Sequence, residues 1–232
     1  MFEVIGHRGA GSLEADNTLL SFKRAYDLGC RRVELDIHVT ADNKAVIIHD
    51  DEYCGSPVNS YSLKDLKSVS CGKGTPVPEL AELFEIFSGK QLHFQIELKG
   101  DGSEYVVPEL AGAFGMAHMI RYTSFVHRRV KKALEQTPNA EGGLLMCSVA
   151  ADPGYLLEIC GASYLHLSKD HISSSIVNGL KDRGFGVIGW GGISDEKDFR
   201  LLVDSGAYGA TTDRPDLFLD FLNRYYTGSL NR

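Results

Sequence analysis

The 232-residue chain lacks the features that mark several protein classes. No run approaches the roughly 20 consecutive apolar residues of a membrane-spanning helix, so no stable membrane anchor is expected. Basic residues are outnumbered, 24 Lys and Arg against 31 Asp and Glu, leaving a formal net charge of −7. That argues against a nucleic-acid partner, because sequence-independent binding needs a basic surface that displaces counterions. It does not exclude a small anionic ligand, since a few local cations can serve one phosphate. The five cysteines (Cys30, Cys54, Cys71, Cys147 and Cys160) form no C-x-x-C pair. Neither a zinc knuckle nor a disulfide framework is expected, and reduced thiols in a cytoplasmic setting are the simplest reading. The opening Met-Phe-Glu-Val-Ile-Gly-His carries no charged segment leading into an apolar one, so no secretory signal is expected. Linkers and low-complexity stretches are lacking as well. With 43% hydrophobic and 24% charged residues, the chain reads as one globular domain over 1–232.

What the sequence does contain is alternation. Strand patterns fall at Val4–Ile5, Arg32–Val39, His93–Leu98, Met119–Thr123, Gly143–Met146, Tyr164–Leu167, Gly186–Ile188 and Tyr208–Ala210. Helical patterns fit between them. The first is Thr18–Leu28, with Asp16 or Asn17 as its cap, and the last is Asp216–Tyr225. The helix near Val106–Phe114 is weakly marked. Strands each followed by a helix imply parallel pairing. About eight such units predict an α/β fold of the (β/α)8 TIM-barrel type, for which roughly 250 residues are typical. A doubly wound open sheet is the rival, though it usually needs fewer units.

Four short segments carry candidate chemistry. In Val33-Glu34-Leu35-Asp36-Ile37, Glu34 and Asp36 are two apart in a strand and share one face. Like charges on one face repel, so the pair marks either a solvated face or a cation site. In Gln95-Ile96-Glu97-Leu98-Lys99, Glu97 and Lys99 share a face in the same way. They read as a surface salt bridge, or as a third oxygen ligand beside a phosphate contact. Three carboxylates without a Cys or His cluster suit Mg²⁺ or Ca²⁺ better than zinc. The segment from Ile37 to His49 reads as a β-hairpin with Asp42-Asn43 as a two-residue loop. In that register His49 stands opposite Asp36, and the hairpin is an excursion after the second strand rather than a barrel strand. Lastly, Gly6-His7-Arg8-Gly9 leaves the first strand, placing a titratable group and a fixed cation in a tight turn or in an ordinary loop.

In order along the chain stand Gly6-His7-Arg8-Gly9, Asp16-Asn17-Thr18, Glu34-Leu35-Asp36, Thr40-Ala41-Asp42, Val46-Ile47-Ile48-His49-Asp50, Ile96-Glu97-Leu98-Lys99, Thr123-Ser124-Phe125 and Thr212-Asp213-Arg214-Pro215. Together these resemble the glycerophosphodiester phosphodiesterase family over essentially the whole chain. The resemblance implies a TIM barrel that hydrolyses a glycerophosphodiester to glycerol 3-phosphate and an alcohol, with a divalent metal as cofactor. It carries metal ligation onto Glu34, Asp36 and Glu97, acid–base roles onto His7 and His49, and phosphate contacts onto Arg8 and Lys99. Which histidine is the acid stays open.

Departures from the family pattern fall at Ala15-Asp16, where Pro-Glu is usual, and at Asp51–Pro57, where a cation is lost. A third is Trp190-Gly191-Gly192-Ile193, where Trp190 lines the substrate pocket or packs in the core. His38 is expected on the hairpin surface, His166 near the barrel rim, and Asp213 as a cap of the last helix. Two further readings compete. One is a phospholipase D-like enzyme on lysolipids, which wants an apolar surface beside the pocket. The other is a catalytically silent phosphoester-binding barrel.

Overall fold

The computed structural model describes residues 2–69 and 75–228; Cys71 lies outside them. The elements in chain order are β1 (Glu3–Gly6), α1 (Leu19–Asp27), β2 (Arg32–Val39), β3 (Ala45–Ile47), β4 (Glu52–Tyr53), β5 (Ser56–Pro57), α2 (Leu63–Ser68), α3 (Leu80–Phe87), β6 (His93–Leu98) and α4 (Ser103–Ala113). Then follow β7 (Ile120–Ser124), α5 (His127–Gln136), β8 (Glu141–Met146), α6 (Pro153–Cys160), β9 (Tyr164–Ser168), α7 (Ser174–Lys181), β10 (Gly186–Trp190), α8 (Glu196–Asp204), β11 (Gly209–Thr212) and α9 (Pro215–Tyr226). Strands β1, β2, β6, β7, β8, β9, β10 and β11 pair in parallel in that order, and β1 also pairs with β11. The sheet therefore closes into the eight-stranded (β/α)8 TIM barrel that the alternation predicts.

Period two sorts each strand between outer core and interior. In β2 the odd residues Val33, Leu35 and Ile37 join the apolar layer under the helices, with Phe22, Phe84 and Phe94. The even residues Arg32, Glu34 and Asp36 face inward. At the base, Arg32 and Arg121 each bridge Glu3 and Glu141 at 2.7–2.9 Å. The Arg121 guanidinium lies 3.8 Å from the centre of the Tyr164 ring. Two cations and two anions neutralise one another, which is what lets the fully buried Arg121 remain charged. His166 sits mid-strand in β9, beside Leu145 and Ile188, and is completely buried. It is an interior residue, not a rim residue, because β9 continues two positions beyond it. Burial drives its pKa well below the ordinary value, so it is neutral.

Helix ends follow local chemistry, with one correction. The cap of α1 is Thr18, whose hydroxyl accepts from the Ser21 amide at 3.1 Å. Asn17 cannot serve because its side chain is engaged by Asp36. The faint helical signal over 106–114 has a cause in Pro108 and Gly112, two poor helix formers inside α4.

The hairpin register also differs from expectation. Val39 faces Ala45, His38 faces Val46 and Ile37 faces Ile47. The loop is three residues rather than two, because Asn43 takes a left-handed backbone (φ 56°) after a turn in which its amide donates to the Thr40 carbonyl. Asp36 consequently faces Ile48, whose amide donates to the Asp36 carbonyl at 3.0 Å. His49 reaches the rim because β3 ends at Ile47 and releases it from strand alternation. His38 is buried, not on the hairpin surface. It packs against Gly100, and its Nε2 meets the His49 carbonyl at 3.4 Å. Reduced thiols hold for Cys30, Cys147 and Cys160, whereas Cys54 is disulfide-bonded. Pairing depends on distance in space, which sequence spacing does not report.

Candidate active site

The register of three neighbouring strands builds the site. Asp36 and Glu97 are direct partners across β2 and β6, and Glu34 lies one inward step below Asp36. One oxygen from each of Glu34, Asp36 and Glu97 falls within 4.8 Å of the others. Glu34 and Asp36 are almost fully buried. Burial, then the Asp36 charge, pushes the carboxyls of Glu34 and Glu97 above the usual carboxylate range. Clustered, buried, all-oxygen donors of this kind fit a hard divalent cation, which would favour their charged forms.

Two cations face the cluster. The Lys99 ammonium is 3.0 Å from Glu97 and 3.6 Å from Asp36. The Arg8 Nε is 3.3 Å from Asp36, and its Nη1 is 3.3 Å from Asp16. Asp16, the shorter residue at the first departure, thus reaches Arg8 and not the triad. Arg8 adopts a left-handed backbone (φ 50°), and its amide donates to Glu34 at 3.0 Å. Glycines allow that turn: a Cβ at Gly9 would meet the Ser21 backbone at 2.6 Å.

His7 leaves β1 as Asp213 leaves β11, and the closing pair of strands sets them side by side. His7 Nδ1 lies 2.5 Å from Asp213 Oδ1, and Nε2 lies 3.8 Å from Glu34. Burial works against a charged imidazole here. The Asp213 hydrogen bond and the charges of Glu34 and Asp213 outweigh it, raising the pKa to about 9. Asp213 is therefore not the helix cap; Arg214 holds that position. His49 Nδ1 lies 2.8 Å from Asp50. Trp190 donates from Nε1 to the His166 carbonyl at 3.0 Å and stacks edge-on with Phe125, ring centres 5.4 Å apart.

All eight residues singled out in the sequence line one cavity of about 200 Å³ at the C-terminal mouth of the barrel: His7, Arg8, Glu34, Asp36, His49, Glu97, Lys99 and Trp190. That mouth is where TIM barrels carry their chemistry. Sequence reasoning missed three supporting residues. Asp213 is hydrogen-bonded to His7. Asn17, itself in a left-handed conformation, donates from Nδ2 to Asp36 at 2.8 Å. Phe125, 43% exposed, widens the Trp190 wall. Position offered a signal for Asp213, since the residues one step past the first and last strands of a closed barrel must be neighbours.

Comparison with known proteins agrees with this fold. A glycerophosphodiester phosphodiesterase of Caldanaerobacter subterraneus subsp. tengcongensis is 26% identical, with 95% of this chain and 98% of the relative aligned. The human lysophospholipase D GDPD1 is 22% identical, covering 95% and 86%. Among solved structures, an Oleispira antarctica phosphodiesterase in complex with the product sn-glycerol-3-phosphate superposes with a TM-score of 0.85 at 24% identity, covering 95% and 96%. A glycerophosphodiester phosphodiesterase of Parabacteroides distasonis does so with 0.83 at 22%, covering 99% and 98%. Residues 7–217, from the first catalytic candidate into the last helix, match one family model, and the chain belongs to the glycerophosphoryl diester phosphodiesterase family.

Proposed function

We propose that this enzyme, a glycerophosphodiester hydrolase by its family, works through a divalent cation, two cations of its own and two histidines. The observation that carries the reading is the convergence of Glu34, Asp36 and Glu97 beside Arg8, Lys99, His7 and His49 in one cavity. A divalent ion held by the three carboxylates would supply positive charge where the phosphodiester gains negative charge. Arg8 and Lys99 add preorganised charge from the chain itself. The Asp213 contact gives His7 a strong hold on its proton, which assigns it the donation to the leaving alkoxide. His49 then takes the nucleophile's proton. Each transfer is worth roughly 10²–10⁴-fold. The complete set of ionisable groups counts against a silent binding barrel.

The test is release of glycerol 3-phosphate from a panel of glycerophosphodiesters, with and without chelator. We expect activity that disappears in excess chelator and returns with Mg²⁺ or Ca²⁺. Full activity in chelator would overturn the metal role, and no release from any member would overturn the substrate class. His7→Ala should keep much of its rate on a nitrophenyl ester, whose leaving group needs no proton, while His49→Ala should not. The opposite pattern would exchange the two roles.

One observation favours a second reading on lysolipids: the apolar wall of Leu145, Trp190 and the exposed Phe125. Tyr53, the aromatic four residues after His49, is buried and adds no surface for such a substrate. Cleavage of lysophosphatidylcholine in the same panel decides between the two. No helix among the described residues is long and apolar enough to cross a membrane. We place the enzyme in the cytoplasm on its three free thiols, and the Cys54 disulfide counts against that placement.

A further inference from the structure

Arg129 lies in the first turn of α5 and is only 8% exposed. A guanidinium so buried needs partners for its donors. Nη1 donates to the Leu98 carbonyl at 3.4 Å and to the Lys99 carbonyl, while Nη2 donates to Asp101 and Nε lies 3.8 Å from Glu104. Both carbonyls belong to the exit of β6, the strand that carries Glu97 and Lys99. Beyond Glu97, which faces Thr123, β6 has no further ladder partner in β7. Ser124 Oγ takes up part of the gap by donating to the Leu98 carbonyl at 2.8 Å. On the opposite side the Lys99 and Gly100 amides both donate to the Ile37 carbonyl of β2, at 3.1 and 3.2 Å. The backbone at Lys99 is thus gripped from both sides, its amide by β2 and its carbonyl by Arg129. Rotation of that peptide would swing the Lys99 side chain away from Glu97 and Asp36.

A plain ion pair is the competing account of Arg129. It is the weaker one, because the Asp101 side chain is 91% exposed and such pairs contribute little in water. The partners of the guanidinium away from solvent are the two carbonyls and, at longer range, Glu104. We infer that Arg129 is a positioning residue for phosphodiester cleavage, acting through the Lys99 backbone to hold the ammonium where phosphate charge develops. The inference rests on the phosphate-contact role proposed above for Lys99.

The experiment is a double-mutant cycle in kcat and KM on one glycerophosphodiester, with the thermal midpoint recorded for every variant. Arg129→Met should lower kcat about 10- to 100-fold with little change in KM, the effect of a displaced catalytic group. Arg129→Lys should recover part of that loss, since an ammonium can reach one carbonyl but cannot span both. On a Lys99→Met background the same Arg129→Met change should cost less than about 2-fold, because residues acting as a unit are non-additive. Asp101→Asn, which removes only the exposed ion pair, should retain the wild-type kcat.

Full additivity of Arg129→Met and Lys99→Met, or wild-type kcat in Arg129→Met, would overturn the inference. A loss in Asp101→Asn as large as in Arg129→Met would overturn it too, making the ion pair the working contact. Should Arg129→Met fail to fold, the cycle is run with Arg129→Lys, where additivity with Lys99→Met is again the overturning result. Wild-type rates in Lys99→Met alone would remove the role on which the inference stands, a failure visible in that variant alone.

Discussion

Asp213→Asn isolates what a single carboxylate does for His7. The substitution keeps size and loses charge, so the imidazole loses both its ionic hydrogen-bond partner and a nearby anion. Its pKa must then fall from about 9. The limb of the kcat/KM profile that belongs to His7 should move to lower pH, and the rate at its optimum should drop by about 10²-fold, the low end for a mispositioned acid–base group. A pH–rate profile of the variant checks both, and an unmoved limb would show that Asp213 is structural. At this scale the sequence was legible where strand alternation alone dictates direction: Glu34 with Asp36, and Glu97 with Lys99. It was not legible for Asp213 or Asn17. Short polar residues beside a turn read as helix caps. The true partner of Asp213 is 206 positions away, and that of Asn17 lies across a turn whose left-handed residue no local rule announces.

Among elements, the hairpin after β2 shows how small a difference separates two registers. Expecting Asp42-Asn43 as a two-residue loop put His49 opposite Asp36. Asn43 alone in the left-handed region makes the loop three residues long and shifts every pair by one. His49 nevertheless reaches the cavity, since the strand stops two residues before it and His38 holds its carbonyl. The expected destination was correct and the expected route was not. Asn43 tolerates the left-handed backbone where a β-branched residue does not. Asn43→Gly should leave stability within a few tenths of a kcal/mol, and Asn43→Val should reduce it by about 1–2 kcal/mol. Urea unfolding of the two variants measures this, and equal midpoints would mean that the loop relaxes into another turn. The eight barrel strands were legible because each alternates or runs apolar between turn residues, whereas α4 was faint because Pro108 and Gly112 weaken its local signal.

Taken whole, the barrel is electrically lopsided along its axis. Its base is neutral, two arginines against two glutamates, while its mouth concentrates Glu34, Asp36 and Glu97 against Arg8 and Lys99. Stability without metal should therefore decline as pH rises from 7 to 9. Glu34 and Glu97 are raised above the ordinary value of 4.5, by burial first and then by Asp36. Above about pH 4.5 the unfolded chain has released protons that the folded chain still holds, so stability declines as pH rises. His7 acts in the same sense: its ordinary value is 6.5 and its folded value about 9, so its contribution is complete below 6.5 and is lost as pH rises through 9. His38, His93 and His166, their pKa values lowered by burial first, act in the opposite sense up to about pH 6.5, where the unfolded chain still holds protons that they have released, so the decline is read from pH 7 upward; the lowered pKa of Asp213 works below its ordinary 3.8. A divalent cation competes with protons for the same carboxylates, so its binding tightens as pH rises and its stabilisation grows with it. In chelator the thermal midpoint should fall from pH 7 to pH 9, and added Mg²⁺ should raise it more at pH 8 than at pH 5. Scanning calorimetry across that range reads both quantities. A midpoint that climbs between pH 7 and pH 9 in chelator, or a Mg²⁺ increment equal at both pH values, would mean that Glu34 and Glu97 are already ionised and held by the neighbouring cations, leaving no protons for a metal to displace.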